Sequence, residues 1–556
     1  MAHELPIRTS NGGQPDAGIL RLPTELISAI CCMLCFHCRG GRVVDATSKA
    51  VTAAYEDQMA ISALSRCSRG LRDKAQPILF HWYHDLEEED YGRQQRHLER
   101  FVEAIIRKPH LAASVKALAF YQPTLSSSHS HLSYAQARAR RTYEVDRIFR
   151  PTAISLGPGH LARRANSSQP ALHVELRDLA IALCPALSQL CFHDIPIPAE
   201  DEAPEYNWTT WSYPLPSLTT LVFPGTRTRI RRKEATYHIR EATYLLRHAP
   251  SLHTLIAPDC GGAGGGRRHL FLDHHHDNDD DDDDEAWDVG PLPALRTLSL
   301  NGIGMTVLAR ILRCCPALQD LEYLDEPASE RVWVVLDPAR DLGHLRGTLR
   351  RLCYSDGNNN GVFFYCGARH DDGPGMAPDG LGFAGFGVLE VLEIEQFLLY
   401  GPVFAPSDSR FPGNGVCLRE TTGENFLVKL PASLRRLRVG AVIYWPAMYR
   451  DLLALVEQQC ARFPRLEAVA VEVYRAPPRY QAEHLAGVFA AAGVAFSVAR
   501  ARSPRAALSG LLPARPGRRE IVPLSMVYPE SDYSESYYSE SVSSDSEESG
   551  ESLPWQ

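Results

Sequence analysis

The sequence predicts an α/β chain: an all-helical N-terminal segment, then an irregular solenoid of helix-turn-strand units, with disordered loops and a disordered C-terminal tail. Three observations predict it. Two short apolar patterns at helical spacing stand near the N-terminus, and a Leu-x-x-Leu-x-apolar template then recurs along most of the chain. From about residue 504 the apolar periodicity stops.

At 556 residues and 44% hydrophobic, the chain can fill a large core. Its net charge of −9 provides no basic field, so nucleic acid is not an expected partner. The first residues carry neither the basic cap nor the apolar run of a secretory signal. The apolar stretch from Leu26 to Phe36 is far shorter than the roughly 20 residues that span a bilayer, so no membrane partner is expected. The expected location is cytoplasm and/or nucleus. The 14 cysteines then read as reduced, mostly buried small hydrophobes rather than a disulfide framework.

Residues 1–19 read as a disordered lead. In Leu22-Pro23-Thr24-Glu25-Leu26-Ile27 the proline suits a helix's first turn and the carboxylate its positive end, and Leu26, Ile27, Ile30 and Leu34 follow at helical spacing. A second helical pattern carries Ile61, Leu64, Ser68, Leu71 and Ala75, and Pro77 is expected to break it. Two helices this short need a partner surface or the body of the protein to bury both faces.

These segments, LPTELISAICCML and ALSRCSRGLRDKAQPILFHWYH, resemble the F-box family in the form common among filamentous fungi. The resemblance covers residues 20–83 and departs from the family at a polar insertion, 38–59, expected to be a loop. It implies docking on a Skp-type linker, which bridges to a cullin and its ubiquitin-loading machinery. On this resemblance Leu22, Pro23, Glu25, Leu26, Ile30 and Leu34 face the linker from the first helix, and Leu64, Ser65, Ser68 and Leu71 from the later ones.

The repeat template stands at Leu187-Leu190-Phe192, Leu218-Leu221-Phe223, Leu252-Leu255-Ala257, Leu295-Leu298-Leu300, Leu318-Leu321-Tyr323, Leu349-Leu352-Tyr354, Leu389-Leu392-Ile394, Leu434-Leu437-Val439 and Leu466-Val469-Val471. Val115-Leu118-Phe120 is an earlier relative. The intervals, about 23 to 45 residues, are solenoid periods. Each Leu-x-apolar core reads as a strand with one buried face, after a helix that ends at a proline: 177–184, 241–249, 307–315 and 452–463. Stacked units give a curved parallel sheet lined by helices, similar to the leucine-rich repeats that follow many F-boxes. The solenoid is placed at 84–503, with disordered insertions near 121–168, 259–290 and 356–385, and the disordered acidic, Ser-rich tail at 504–556.

Function is expected on the concave face, where residues between the buried positions point outward: His193, Thr220, Thr297, Asp320, Glu322, Arg351, Glu393, Glu395, Arg436 and Arg438. Their mixed charge suits a protein target, whose identity the sequence leaves open.

Other patterns carry no chemistry as sequences. His274-His275-His276 and the acids 279–285 form a polar insertion without fixed ligand geometry. Cys32, Cys35 and Cys38 with His37 have zinc-like spacing but no second ligand pair in the sequence, so neither metal nor other cofactor is expected. The letters of 380–385 match a dinucleotide fingerprint without the strand before and helix after that it needs. No nucleophile elbow, phosphate loop or His-Glu-x-x-His helix is found, so the chain reads as a non-catalytic adaptor, with a ligase-independent scaffold as the alternative. Arg227 to Lys233 reads as a solvated face and Ser544 and Ser546 as phosphorylation candidates.

Overall fold

A computed structural model describes residues 22–40, 48–84, 91–120, 149–156, 161, 173–192, 211–223, 237–238, 242–257, 260–261, 290–301, 303, 305–324, 338–355, 382–400, 402–404, 416–418, 423–442, 445–473 and 476–500. It is mixed helix and sheet. The N-terminal part holds α1 (Thr24–Leu34), α2 (Ser48–Cys67) and α3 (Arg69–Leu79), followed by β1 (Trp82–His84), α4 (Tyr91–Arg107), α5 (Pro109–Ala112) and β2 (Ala117–Phe120). Next come α6 (His173–Leu183), β3 (Gln189–Phe192), β4 (Thr220–Val222), β5 (Tyr237–His238), α7 (Thr243–Arg247), β6 (Thr254–Ala257), β7 (Cys260–Gly261) and β8 (Thr297–Asn301). Then follow α8 (Met305–Arg313), β9 (Asp320–Leu324), α9 (Pro338–Asp341), β10 (Arg351–Ser355), β11 (Val391–Glu395), α10 (Gln396–Tyr400), β12 (Pro402–Phe404) and β13 (Val416–Leu418). The last are α11 (Gly423–Lys429), β14 (Arg436–Val442), α12 (Trp445–Glu457), α13 (Gln459–Arg462), β15 (Ala468–Val473), α14 (Arg479–Ala491) and β16 (Ala495–Arg500).

Twelve strands form one sheet in chain order, β1-β2-β3-β4-β6-β8-β9-β10-β11-β14-β15-β16, and every pairing in it is parallel. β5 with β7 and β12 with β13 make two small separate ribbons. All ten template positions fall on strands of the large sheet, and the register lines them up. Leu118, Leu190, Leu221, Leu255, Leu298, Leu321, Leu352, Leu392, Leu437 and Val469 are successive Cα partners. All are buried in one continuous core with the aromatic or aliphatic residue two places on. Burying such a side chain contributes about 1.5–3 kcal/mol, so the ladder is the principal apolar seam of the fold.

The proline that precedes six of these strands has a specific role. In Cys184-Pro185-Ala186-Leu187, Leu215-Pro216-Ser217-Leu218, Ala249-Pro250-Ser251-Leu252, Leu292-Pro293-Ala294-Leu295, Cys315-Pro316-Ala317-Leu318 and Phe463-Pro464-Arg465-Leu466, the leucine N–H donates to the carbonyl three residues back, at 3.0–3.2 Å. That is a β-turn with proline at its second position, where a fixed φ is already correct. The turn aims the strand, and at 184, 249, 315 and 463 it follows the end of a helix. One carbonyl per unit then takes two N–H groups from the next: Lys116 from Ser188 and Gln189, Ser188 from Thr219 and Thr220, and so on to Arg435, which takes those of Glu467 and Ala468.

Helices 173–183, 305–313 and 445–457 with 459–462 occupy the segments expected from the pattern, and α7 is shorter than its expected 241–249. Two strands of the large sheet had no template: β1, and β16, where Gly493 at φ +73° holds the place of the first leucine before Phe496 and Val498. Glycine alone adopts that backbone without strain, and it closes α14.

Candidate functional site

The N-terminal helices form their own small core: Ile27, Cys31, Cys35, Ile61, Leu71, Ala75 and Ile78, with Leu22, Cys32, Leu34, Leu64 and Leu79 packed against it. The second helical pattern is two helices rather than one. Ser68 sits at φ −156°, ψ 162°, outside the helical region, and its hydroxyl accepts the Leu71 N–H at 3.2 Å, capping α3. Pro77 does not break α3, which runs two residues further, because that proline lies in the last turn. The insertion expected to be a loop is helical from Ser48, within α2.

Placement of the ten F-box-like residues divides them. Leu71 is 3% exposed and Ser65 8%, so both face the internal core and are corrected from the linker-facing set. Ser68 is spent as a cap, and Leu22, Leu34 and Leu64 are half-buried beside the core. Pro23, Glu25, Leu26 and Ile30 face outward, with Leu26 50% and Ile30 37% exposed. Met33, at 69%, extends their stripe and was missed; its spacing of three from Ile30 is the signal that could have found it. Helix α1 is thus apolar on two sides, with Ile27 and Cys31 inward and Leu26, Ile30 and Met33 outward. On α2, Tyr55 and Met59 are further exposed apolar side chains, four residues apart.

On the sheet face opposite the leucine ladder, the register sets the predicted outward residues in columns. One runs Thr220, Thr254, Thr297, Asp320, Arg351, Val391, Arg436; the next runs Ser299, Glu322, Cys353, Glu393, Arg438. Across β9, β10, β11, β14 and β15 the charges alternate. Arg351 reaches Glu322 at 3.7 Å and Glu393 at 3.2 Å, and Arg438 reaches Glu393 at 3.1 Å and pairs with Glu472. Thr297 donates to Asp320 at 3.5 Å, and Ser355 to Glu395. Of the ten, Arg436 is exposed, and the others described are half-buried. Thr297 with Asp320, and Glu322, Arg351, Glu393 and Arg438 in one chain of ion pairs, are thus linked to one another rather than free in solvent. His193 lies outside the described residues, as do 227–233, 262–289 and the tail from 501.

Burial raises the Asp320 carboxyl, partly offset by Arg351. Burial works against the charge of Arg351, but Glu393 and Glu322 win and its pKa is raised; Arg438 is raised likewise, by Glu472 and Glu393 against burial. Burial, then Glu393 and Glu322, push the Cys353 thiol well up, so it stays protonated among the carboxylates. Glu472 and Cys353 were not singled out from sequence, since their place in the network follows from strand register.

Toward β1 the same face turns apolar and is covered. Trp82, Ala117, Ala119, Cys191 and Val222 are buried in one cluster with Ala54 of α2, and Phe36 and Ile256 pack against it. The Phe36 and Trp82 ring centroids are 4.9 Å apart, and Gln58 Nε2 donates to the Trp82 carbonyl at 3.1 Å. Beside this contact lie Cys35, Cys38 and His81, whose Sγ and ring nitrogen atoms are all within 4.8 Å of one another. Burial is the first cause that raises the Cys38 thiol, and it lowers His81 to about 4 with help from His37 and Lys116. The cysteines whose side chains are described form no disulfide, and no helix among the described residues is long and apolar enough to cross a membrane.

Compared with known proteins, the chain matches no family model and no curated protein.

Proposed function

We propose that this chain is a substrate-recognition adaptor of a Skp-cullin-F-box type ubiquitin ligase, non-catalytic itself, with catalysis belonging to its partners. The single observation that carries the reading is the outward apolar stripe of α1, Pro23, Leu26, Ile30 and Met33, on the segment LPTELISAICCML that resembles an F-box. A helix apolar on both sides needs a partner on each, and the inner side already has one. The Skp-type linker is the proposed occupant of the outer side. The leucine ladder and its proline turns support a leucine-rich-repeat-like solenoid. Its charged face is the proposed seat of a protein target. There Asp320, Glu322, Glu393, Glu395 and Glu472 stand against Arg351, Arg436 and Arg438, and this acidic excess favours a target segment bearing lysine or arginine.

A second reading, a ligase-independent scaffold in which these helices cap the sheet, is favoured by the packing of Ala54 and Phe36 over Trp82, Ala117 and Ala119. Co-precipitation of the tagged full chain with the linker separates the two. Wild type should bring down linker and cullin, and the Leu26→Asp, Ile30→Asp double variant should not, since both side chains are exposed and their change leaves the helical core intact. Failure of both folded proteins to bind the linker removes the ligase reading and leaves the cap.

A further inference from the structure

The turn after α1 and the turn before β1 are far apart in the chain, and the fold brings their metal-ligating side chains together. Cys35-Phe36-His37-Cys38 is a Cys-x-x-Cys turn, closed by the Arg39 N–H on the Cys35 carbonyl at 3.1 Å and the Gly40 N–H on the His37 carbonyl at 3.0 Å, with Gly40 at φ +74°. The second turn presents His81, whose Nδ1 is 3.2 Å from Cys38 Sγ. Ligand atoms on a tetrahedral zinc, with bonds near 2.3 Å to sulfur and 2.0 Å to nitrogen, stand about 3.3–3.8 Å from each other. The group Cys35, Cys38 and His81, all within 4.8 Å, needs only small rotamer changes to match that spacing.

We propose that Cys35, Cys38 and His81 form a structural zinc site that pins the N-terminal helices to the first strand of the sheet. His37 stands within reach as a fourth ligand, with Nδ1 3.9 Å from Cys38 Sγ and its ring centroid 6.0 Å from that of His81. Two thiolates and two neutral imidazoles balance the charge of the ion, and soft sulfur with imidazole selects zinc over magnesium or calcium. Both cysteine protons leave to solvent on binding.

The site's mechanical position explains why a metal belongs here. The His81 carbonyl accepts the N–H groups of Lys116 at 2.8 Å and Ala117 at 2.9 Å, so it opens the carbonyl series that runs through the sheet. The Cys38 turn is held to α2 by the Arg39 to Asp57 ion pair at 2.5 Å. A metal bond between the two turns therefore clamps helices to sheet at its first rung, and the inference does not depend on the ligase reading.

The test uses the full chain, prepared metal-free and titrated with Zn²⁺ or Co²⁺ alone. Expected are about one tightly bound equivalent and, with Co²⁺, intense tetrahedral visible bands with a near-ultraviolet thiolate-to-metal band. Cys38→Ser, at an exposed turn position, should reduce the thiolate band to the share of Cys35 and bind zinc at least about tenfold more weakly, and His81→Asn should weaken it similarly. Cys67→Ser, at an exposed cysteine outside the group, should change neither. Circular dichroism of the metal-free variants separates lost ligation from lost folding. A Co²⁺ spectrum without a thiolate band, equal affinity of wild type and Cys38→Ser, or binding abolished only by replacing His274 to His276 with asparagine overturns the proposal.

Discussion

Burial pushes the His84 imidazole from its ordinary 6.5 down to about 4, next to the Trp82 ring at 5.1 Å. The unfolded chain takes up a proton near pH 6.5 and the folded chain only near 4, so stability from this site is full above 6.5 and is lost as pH falls toward 4. With the screening of a half-buried ring, the loss is on the order of 1–2 kcal/mol. Urea midpoints measured at pH 7 and pH 5 should fall less for His84→Gln than for wild type; parallel falls would refute the assignment. Residues of this kind were poorly legible beforehand. A helical wheel shows that α1 is apolar on two sides, yet it cannot tell which side meets α3. Ser65 and Leu71 read as surface from the family pattern and turn out to face inward.

Elements were legible where two signals coincided. A proline turn followed by an alternating strand located six of the template strands, and the alternation alone marked the others, because proline fixes the turn and the alternation fixes the face. β1 and β16 escaped because neither follows a proline turn with the leucine pattern: β1 follows α3 directly, and β16 follows a glycine. Between elements, the charge network on the outer face depends on register. Arg438 lies between Glu393 and Glu472, and a methionine there would leave both carboxylates half-buried without their shared cation. Arg438→Met should cost about 1–2 kcal/mol. In a double-mutant cycle with Glu393→Gln the two losses should be markedly non-additive, and simple additivity would show that the network carries no coupling.

At the scale of the whole molecule, the twelve strands follow chain order, so each unit rests chiefly on its neighbours and central rungs are held from both sides. Leu352, fully buried between Leu321 and Leu392, should cost about 2–5 kcal/mol as alanine in denaturant unfolding, with the core unable to close the gap. A cost under 1 kcal/mol would mean that the ladder is not continuous. The repeated template, its spacing and its proline phase were determined by the sequence alone, because turn chemistry and period-two burial are local properties of the chain. Tertiary structure alone decided what long-range contact creates: which stripe of α1 stays exposed, the pairing of Arg351 and Arg438 with acids from neighbouring strands, and the approach of His81 to Cys35 and Cys38. Those groups lie up to 46 residues apart in sequence, and only packing of the helices on the sheet edge brings their atoms within 4.8 Å.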